Sequence, residues 1–383
     1  MFSTSYIEIS KYNYKKNLKF IKSQIGDQTL FSSVIKGNAY GHGIENMVEI
    51  AEWAGIRHFS TFSADEALRA LKSSHKKSEI MIMGMISNEE LAWAIEHGVS
   101  FFVFDRDRLE QAIKLGQKMG KKAKIHLEAE TGFHRTGFEL KEMEKVCDLL
   151  KGCPDAYSLE GLCMHFAGAE SIGNYFRIQQ QIKSFTEFEK LLQRLSLKPK
   201  HVHMACSAAA LTYKDTVRDM VRIGIAQYGF WPSPETYMHM FKEIEMKNKN
   251  PLRRLVTWKS SVMSTKEVQK GEFIGYGNSY MASTKMEIAI VPVGYAHGYS
   301  RSLSNTGKVL IRGRMAPVVG TVTMNAIAVD VTGFTVEKGD EVVLIGKQGK
   351  AELTVASFGE SSSQVNYELL TRLPDDIPRF IVK

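Results

Sequence analysis

The sequence contains no apolar run approaching 18 residues, which excludes an ordinary membrane-spanning helix. Its opening, MFSTSYIEISKYNYKKN, lacks the apolar stretch that follows the basic start of a secretory leader, so the cytoplasm is the expected location. Cysteine is scarce: Cys147, Cys153, Cys163 and Cys206 are too few and too irregularly spaced for a disulfide framework or a paired-CxxC zinc site. No metal is expected. Charge of one sign is not concentrated either. Fifty Lys and Arg against 42 Asp and Glu leave a formal +8, and basic runs such as HKK and GKKAK are short and scattered. A nucleic-acid partner is therefore not expected, whereas a small anionic molecule is compatible with the charge. No GxGxxG fingerprint follows any of the apolar runs, which counts against dinucleotide binding.

What is present is a regular alternation. Short β-rich apolar runs recur at residues 30–35, 58–62, 79–83, 100–104, 124–129, 158–164, 201–205 and 221–226. Between them lie segments of helical period, among them SADEALRALKSS, NEELAWAIEHG and DRLEQAIKLGQKMG, several ending in glycine. Eight strands alternating with helices predict an α/β fold, an N-terminal (β/α)8 TIM barrel over residues 10–240. At MKNKNPLRR the texture changes to closely spaced strand-like runs, predicting a C-terminal all-β domain over residues 241–383. The early run SYIEIS reads as a strand that could join that domain rather than the barrel.

In such a barrel, chemistry collects at the C-terminal ends of the strands. Those positions offer Lys36 and Tyr40, then Glu128, Glu130 and Arg135, then His165, then Cys206 and Ser207, and finally Arg222 with Gly224 and Ile225. The loops after the last two strands are the fold's usual phosphate site. Ser207 and the amides of Gly224 and Ile225 suit that role. A phosphate site opposite a strand-end lysine suggests pyridoxal 5'-phosphate, held covalently by Lys36. The glycines at 37, 41 and 43 would permit unusual backbone angles beside it.

Spaced motifs then add a resemblance along nearly the whole chain. VIKGNAYGHG, ETGFHRTGF, HFAGAE, CSAA, VRIGIAQYG, VGYAHGYSR and GTVTMN occur in the order found in bacterial alanine racemases of the barrel-plus-β type. The resemblance implies an isomerase that interconverts L- and D-alanine with pyridoxal phosphate. It implies that Lys36 and Tyr295 are the two catalytic bases, Tyr295 being supplied across a homodimer interface. It further implies that Tyr40, Ser207, Gly224 and Ile225 hold the phosphate and that His165 lies against the pyridine ring. Arg222 would contact the pyridine nitrogen and be oriented by His203, while Arg135 and Met324 would bind the substrate carboxylate. Racemisation needs acid/base groups on both faces of a planar carbanion, and neighbouring cations can depress the pKa values of a lysine and a tyrosine toward neutral pH. Arginine rarely gives up a proton, so it leaves the ring a weak electron sink. An aspartate at 222 would instead mark an aminotransferase-like site.

Four positions depart from the family's usual pattern. Glu128 stands where many members carry a carbamylated lysine, and it is expected to supply that negative charge directly by pairing with Arg135. His134, Cys206 and Asn325 replace residues commoner in the family, which leaves serine or a broader amino-acid range open as substrate. Two other classes compete. A pyridoxal-dependent decarboxylase shares the architecture but is disfavoured by Arg222, and a non-catalytic single-barrel carrier is disfavoured by the β domain and by Tyr295.

Overall fold

The computed structural model of the chain describes residues 3–243, 250–355 and 366–383. Residues 246–249, the start of the MKNKNPLRR break, lie outside the described residues. The chain forms two compact units. One comprises Asn13–Lys36 and Met47–Arg254, and the other Met1–Tyr12, Gly37–Asn46 and Leu255–Lys383.

After an N-terminal strand β1 (Ser5–Ser10), the first of these units holds eight strands: β2 (Leu30–Val34), β3 (His58–Thr61), β4 (Glu79–Ile82), β5 (Ser100–Val103), β6 (Ala123–Glu128), β7 (Tyr157–Cys163), β8 (His201–His203) and β9 (Met220–Ile223). β3 and β5 are buried at every position, and β2, β6 and β7 nearly so. Burial on both faces is what makes these parallel strands read as continuous apolar runs. Neighbours pair in parallel in the order β8-β7-β6-β5-β4-β3-β2-β9. The remaining seam, between β8 and β9, is stitched by a parallel bridge between Cys206 and Arg222. There Arg222 N donates to the Ala205 carbonyl (3.0 Å) and Val202 N to the Asp219 carboxylate (2.8 Å). The intervening helices follow local rules. Asn88–His97 opens on a reciprocal Ser87–Glu90 capping box and stops at Gly98 in the left-handed region. Arg106–Met119 is capped by the Asp105 carboxylate and stops at Gly120 in the same way.

The other unit carries two sheets. β10 (Val256–Ser261), β13 (Lys308–Ile311), β14 (Arg314–Pro317), β16 (Glu341–Gln348) and β18 (Arg379–Val382) run in the order β14-β13-β16-β10-β1-β18, with β17 (Ala351–Leu353) on β16. β11 (Ser264–Val268), β12 (Met286–Val291) and β15 (Ile327–Asp330) form the second. β1 lies antiparallel to β10 and parallel to β18. Both β1 and β10 alternate buried and half-exposed residues, the pattern of a sheet covered on one face.

Within this unit the motif that opened with Lys36 takes an uncommon form. Gly37, Asn38, Ala39, Tyr40 and Gly41 have φ of 62°, 49°, 54°, 53° and 79°, a turn of left-handed helix closed by Gly41 N to the Gly37 carbonyl at 3.0 Å. Such a turn costs an L-residue about 1–2 kcal/mol per position. At Gly41 a Cβ would lie 1.8 Å from the Leu370 carbonyl oxygen, so only glycine fits.

Candidate active site

Lys36 follows β2, whose end is pinned where the Tyr228 hydroxyl (2.8 Å) and Gln227 Nε2 (3.0 Å) both donate to the Val34 carbonyl. Among the described residues its amine makes no hydrogen bond or ion pair. Burial holds its pKa below the usual lysine value, and the Arg135 and Arg222 cations lower it further while Glu66 opposes them. An amine in that setting is more often neutral, and therefore nucleophilic, than a surface lysine.

The loop after β6 carries Arg135. Its shape is set by Glu130, whose carboxylate accepts from the amides of Gly132, Phe133 (2.8 Å) and His134 (2.9 Å). The Arg135 guanidinium lies over the Phe133 ring, 4.4 Å from its centroid, and the His165 ring lies 5.7 Å from the same centroid. Burial, then the charges of Arg222, Arg135 and Lys36, push the His165 imidazole down to about 3, so it is neutral. The buried amide of Gln181 ties the two loops together, donating to Thr131 Oγ1 and to the His165 carbonyl, both at 3.2 Å.

Glu128 differs from the expectation. Its carboxylate is buried and accepts from Thr136 Oγ1 at 2.8 Å, and no ion pair with Arg135 forms among the described residues. Arg135, exposed and stacked on Phe133, acts on Glu128 only through its field. Burial raises the Glu128 pKa, against the Thr136 hydrogen bond and the charges of Arg135 and Arg222.

At the seam, Arg222 is buried and surrounded by acceptors. Nη1 donates to Nδ1 and to the carbonyl (3.0 Å) of His203, and Nη2 to the Met164 carbonyl. Among the described residues nothing accepts from its Nε–H or its last Nη2–H. The Ser207 hydroxyl accepts from the amides of Gly224 (2.9 Å) and Ala226 (3.4 Å). The Gly224 amide is thus already engaged, and the second amide on the hydroxyl is that of Ala226 rather than Ile225. Ser207 keeps its own hydrogen for a ligand.

This donor set suits pyridoxal phosphate: a half-buried amine of lowered pKa, a hydroxyl held by two amides, and a guanidinium with unused N–H groups. No group of three or more His, Cys, Asp or Glu among the described residues could hold a metal.

The remaining candidates belong to the all-β unit. Tyr40 takes φ 53° in the left-handed turn. Tyr295 and Met324 are brought side by side, with Tyr295 N donating to the Thr323 carbonyl and Ala296 N to the Met324 carbonyl, both at 3.0 Å. Gly294 permits this approach, since a Cβ there would lie 2.2 Å from the Thr323 oxygen. Both side chains are exposed, as is Asn325. Thr136, Gln181 and Glu130's role in shaping its loop were not read from the sequence. Only period-two spacing, which puts His126 and Glu128 on one face of β6, hinted at an ordered interior there.

The fold and this residue set define a (β/α)8-barrel enzyme built to carry pyridoxal phosphate, with an appended all-β domain. The family model described as alanine racemase, N-terminal domain, matches residues 9–232, and that of its C-terminal domain matches residues 255–381. An alanine racemase of Leptospira interrogans is 32% identical over 382 residues, covering 99% of this chain and 96% of that protein. Alanine racemase 1 of Caldanaerobacter subterraneus is also 32% identical, covering 98% and 92%. The crystal structure of the Bacillus anthracis alanine racemase with bound L-Ala-P superposes with a TM-score of 0.89 at 30% identity, covering 100% of this chain and 96% of that one. The enzyme from Streptomyces lavendulae gives a TM-score of 0.90 at 27% identity, covering 100% and 98%. The chain belongs to the alanine racemase family. Because the match takes in both domains, the single-barrel carrier does not describe it. No helix among the described residues is long and apolar enough to cross a membrane.

Proposed function

We propose that this chain is a pyridoxal phosphate-dependent isomerase that interconverts L- and D-alanine, with Lys36 and Tyr295 as its two bases. The observation that carries the reading is the half-buried Lys36 amine, unpartnered among the described residues and held below its ordinary pKa by desolvation and two arginines. When bound, the cofactor supplies the electron sink that acidifies the substrate's α-proton. Lys36 attaches it and moves a proton on one face through Nζ, while the Tyr295 phenol moves a proton on the other. Ser207, Tyr40 and the Ile225 amide hold the phosphate, with the Gly224 amide keeping the Ser207 hydroxyl in place. His165, neutral at physiological pH, packs against the ring without adding charge. Arg222 offers an N–H to the pyridine nitrogen and keeps it unprotonated, which restrains the sink. Arg135 and the Met324 backbone bind the substrate carboxylate. The working enzyme is a cytoplasmic homodimer in which each barrel site receives Tyr295 from the other copy.

Borohydride treatment of the purified holoenzyme, followed by peptide mapping, should place the reduced cofactor on Lys36. A label on any other lysine would overturn the assignment. Tyr295→Phe should keep the bound-cofactor absorbance yet lose conversion of L-alanine to D-alanine, and an active variant would remove Tyr295 from the mechanism.

A further inference from the structure

The hydrogen bonds around Arg222 do not stop at His203. His203 Nε2 meets His126 Nδ1 at 3.0 Å, His126 Nε2 meets Ser100 Oγ at 3.3 Å, and Ser100 Oγ donates to the Ile80 carbonyl at 3.4 Å. Every proton in this chain is fixed by its first member. A guanidinium only donates, so His203 Nδ1, which Arg222 Nη1 addresses, must be the bare acceptor nitrogen. The neutral His203 then carries its proton on Nε2 and donates it to His126. His126 must therefore have a bare Nδ1 and a protonated Nε2, which donates to Ser100. The Ser100 hydroxyl, its lone pair used, turns its hydrogen to Ile80. Four donors point one way, from Arg222 down to β4.

The packing reserves space for this pair. Gly161 in β7 faces it, and a Cβ there would lie 2.2 Å from His126 Nδ1 and 2.9 Å from His203 Nε2. The φ of Gly161 is not in the left-handed region, so the glycine is explained by the room it leaves and not by its backbone. Phe102 walls the same space, its ring centroid 6.0 Å from both imidazoles and 5.9 Å from the Arg222 guanidinium carbon. His126 and His203 are fully or almost fully buried.

We propose that His126, seated against Gly161 and anchored by Ser100, is a positioning residue: by accepting the His203 Nε2–H it reinforces the tautomer that Arg222 requires and so holds Arg222 in its pose toward the pyridine nitrogen. This rests on the racemase reading for the identity of the ring, but the tautomer chain is a property of the protein alone. Without an acceptor at 126, His203 gains nothing from protonating Nε2. Its proton can shift to Nδ1, where it opposes Arg222.

The test uses the holoenzyme labelled with 15N-histidine. Long-range 1H–15N spectra should show both His203 and His126 as Nε2–H tautomers, and an Nδ1–H tautomer for either would overturn the proposal without any turnover measurement. His126→Leu should shift His203 toward Nδ1–H and lower kcat by roughly ten- to a hundredfold. KM should stay within about twofold, because no substrate contact is touched. His126→Asn restores an acceptor near the Nδ1 position and should recover most of the loss. Unchanged kcat in His126→Leu, or no recovery in the well-folded His126→Asn, would reduce His126 to packing. Should His126→Leu fail to fold, the tautomer of His203 in His126→Asn decides: Nε2–H supports the proposal and Nδ1–H overturns it. If borohydride labelling misses Lys36 while the tautomers are as stated, the racemase reading falls and the relay stands.

Discussion

Two cations and burial act on Lys36 in the same direction, and that sum can be taken apart one cation at a time. Each cation destabilises the ammonium, so removing one must raise the amine's pKa and demand a higher pH for the neutral form. Arg135→Gln should therefore move the pH midpoint for reattachment of the cofactor to the apoprotein upward, read from the absorbance of the bound form. A midpoint that stays put would mean that Arg135 does not act on the amine. Glu128 makes a related case. Burial raises its pKa, and Thr136 and the field of two arginines oppose that rise. Glu128→Ala should raise KM for alanine severalfold by leaving Arg135 without its counter-charge, and an unchanged KM would show the buried carboxylate to be structural. Lys36, His165 and Arg222 were legible in the sequence because strand ends are where this fold presents side chains. Gln181 and His126 were not, since each acquires its role from partners far along the chain, and Thr136 was not, since only the fold of its loop turns it back on Glu128.

At the level of elements, the left-handed turn after Lys36 shows how narrowly a loop can be specified. Gly41 combines φ 79° with a neighbouring carbonyl that a Cβ would strike. Gly41→Ala should cost at least about 2 kcal/mol of stability in the all-β unit, measured by urea denaturation, from strain and the forced displacement of Leu370 together. A loss no greater than that of an exposed Gly→Ala change would show the turn to be pliable. The same scale shows why the sequence was easier to read in one unit than in the other. Barrel strands buried on both faces announce themselves as apolar blocks. In the other unit the run from Leu255 to Val268 read as one strand-like stretch yet serves two sheets. Val262 N bonds to the Asp340 carbonyl and Met263 N to that of Ile290, with no Gly or Pro to mark the change. The run from Lys308 to Pro317 likewise hides a hairpin. Its turn residues, Arg312 and Gly313, both have positive φ (49° and 75°), and an arginine is an uncommon signal for such a turn.

Across the whole molecule, five buried or half-buried histidines weaken the fold toward acid pH. His42 is lowered to about 4, His58 and His165 to about 3, and His126 and His203 well below their ordinary value of 6.5, in each case chiefly by burial. The unfolded chain therefore binds more protons than the folded one below about pH 6.5. Stability is complete above that value and falls as the pH drops toward the folded-state values. Each such histidine contributes up to about 1.4 kcal/mol per pH unit. The urea midpoint should thus fall steeply between about pH 6.5 and pH 4. His58→Gln, which removes one of the five, should flatten that fall. A midpoint independent of pH across this window would mean that these imidazoles are not neutral in the folded protein.

The seam between β8 and β9 has a consequence for how such a protein can change over generations. Arg222 closes the strand gap through its backbone, and its side chain donates to His203 Nδ1, the His203 carbonyl and the Met164 carbonyl. An aspartate placed there, the residue type that favours transamination, would bury a negative charge against oxygen and nitrogen lone pairs. A single codon change is thus a dead end, and descendants with a different reaction must first rebuild the shell. The seam makes the choice of chemistry heritable as a block.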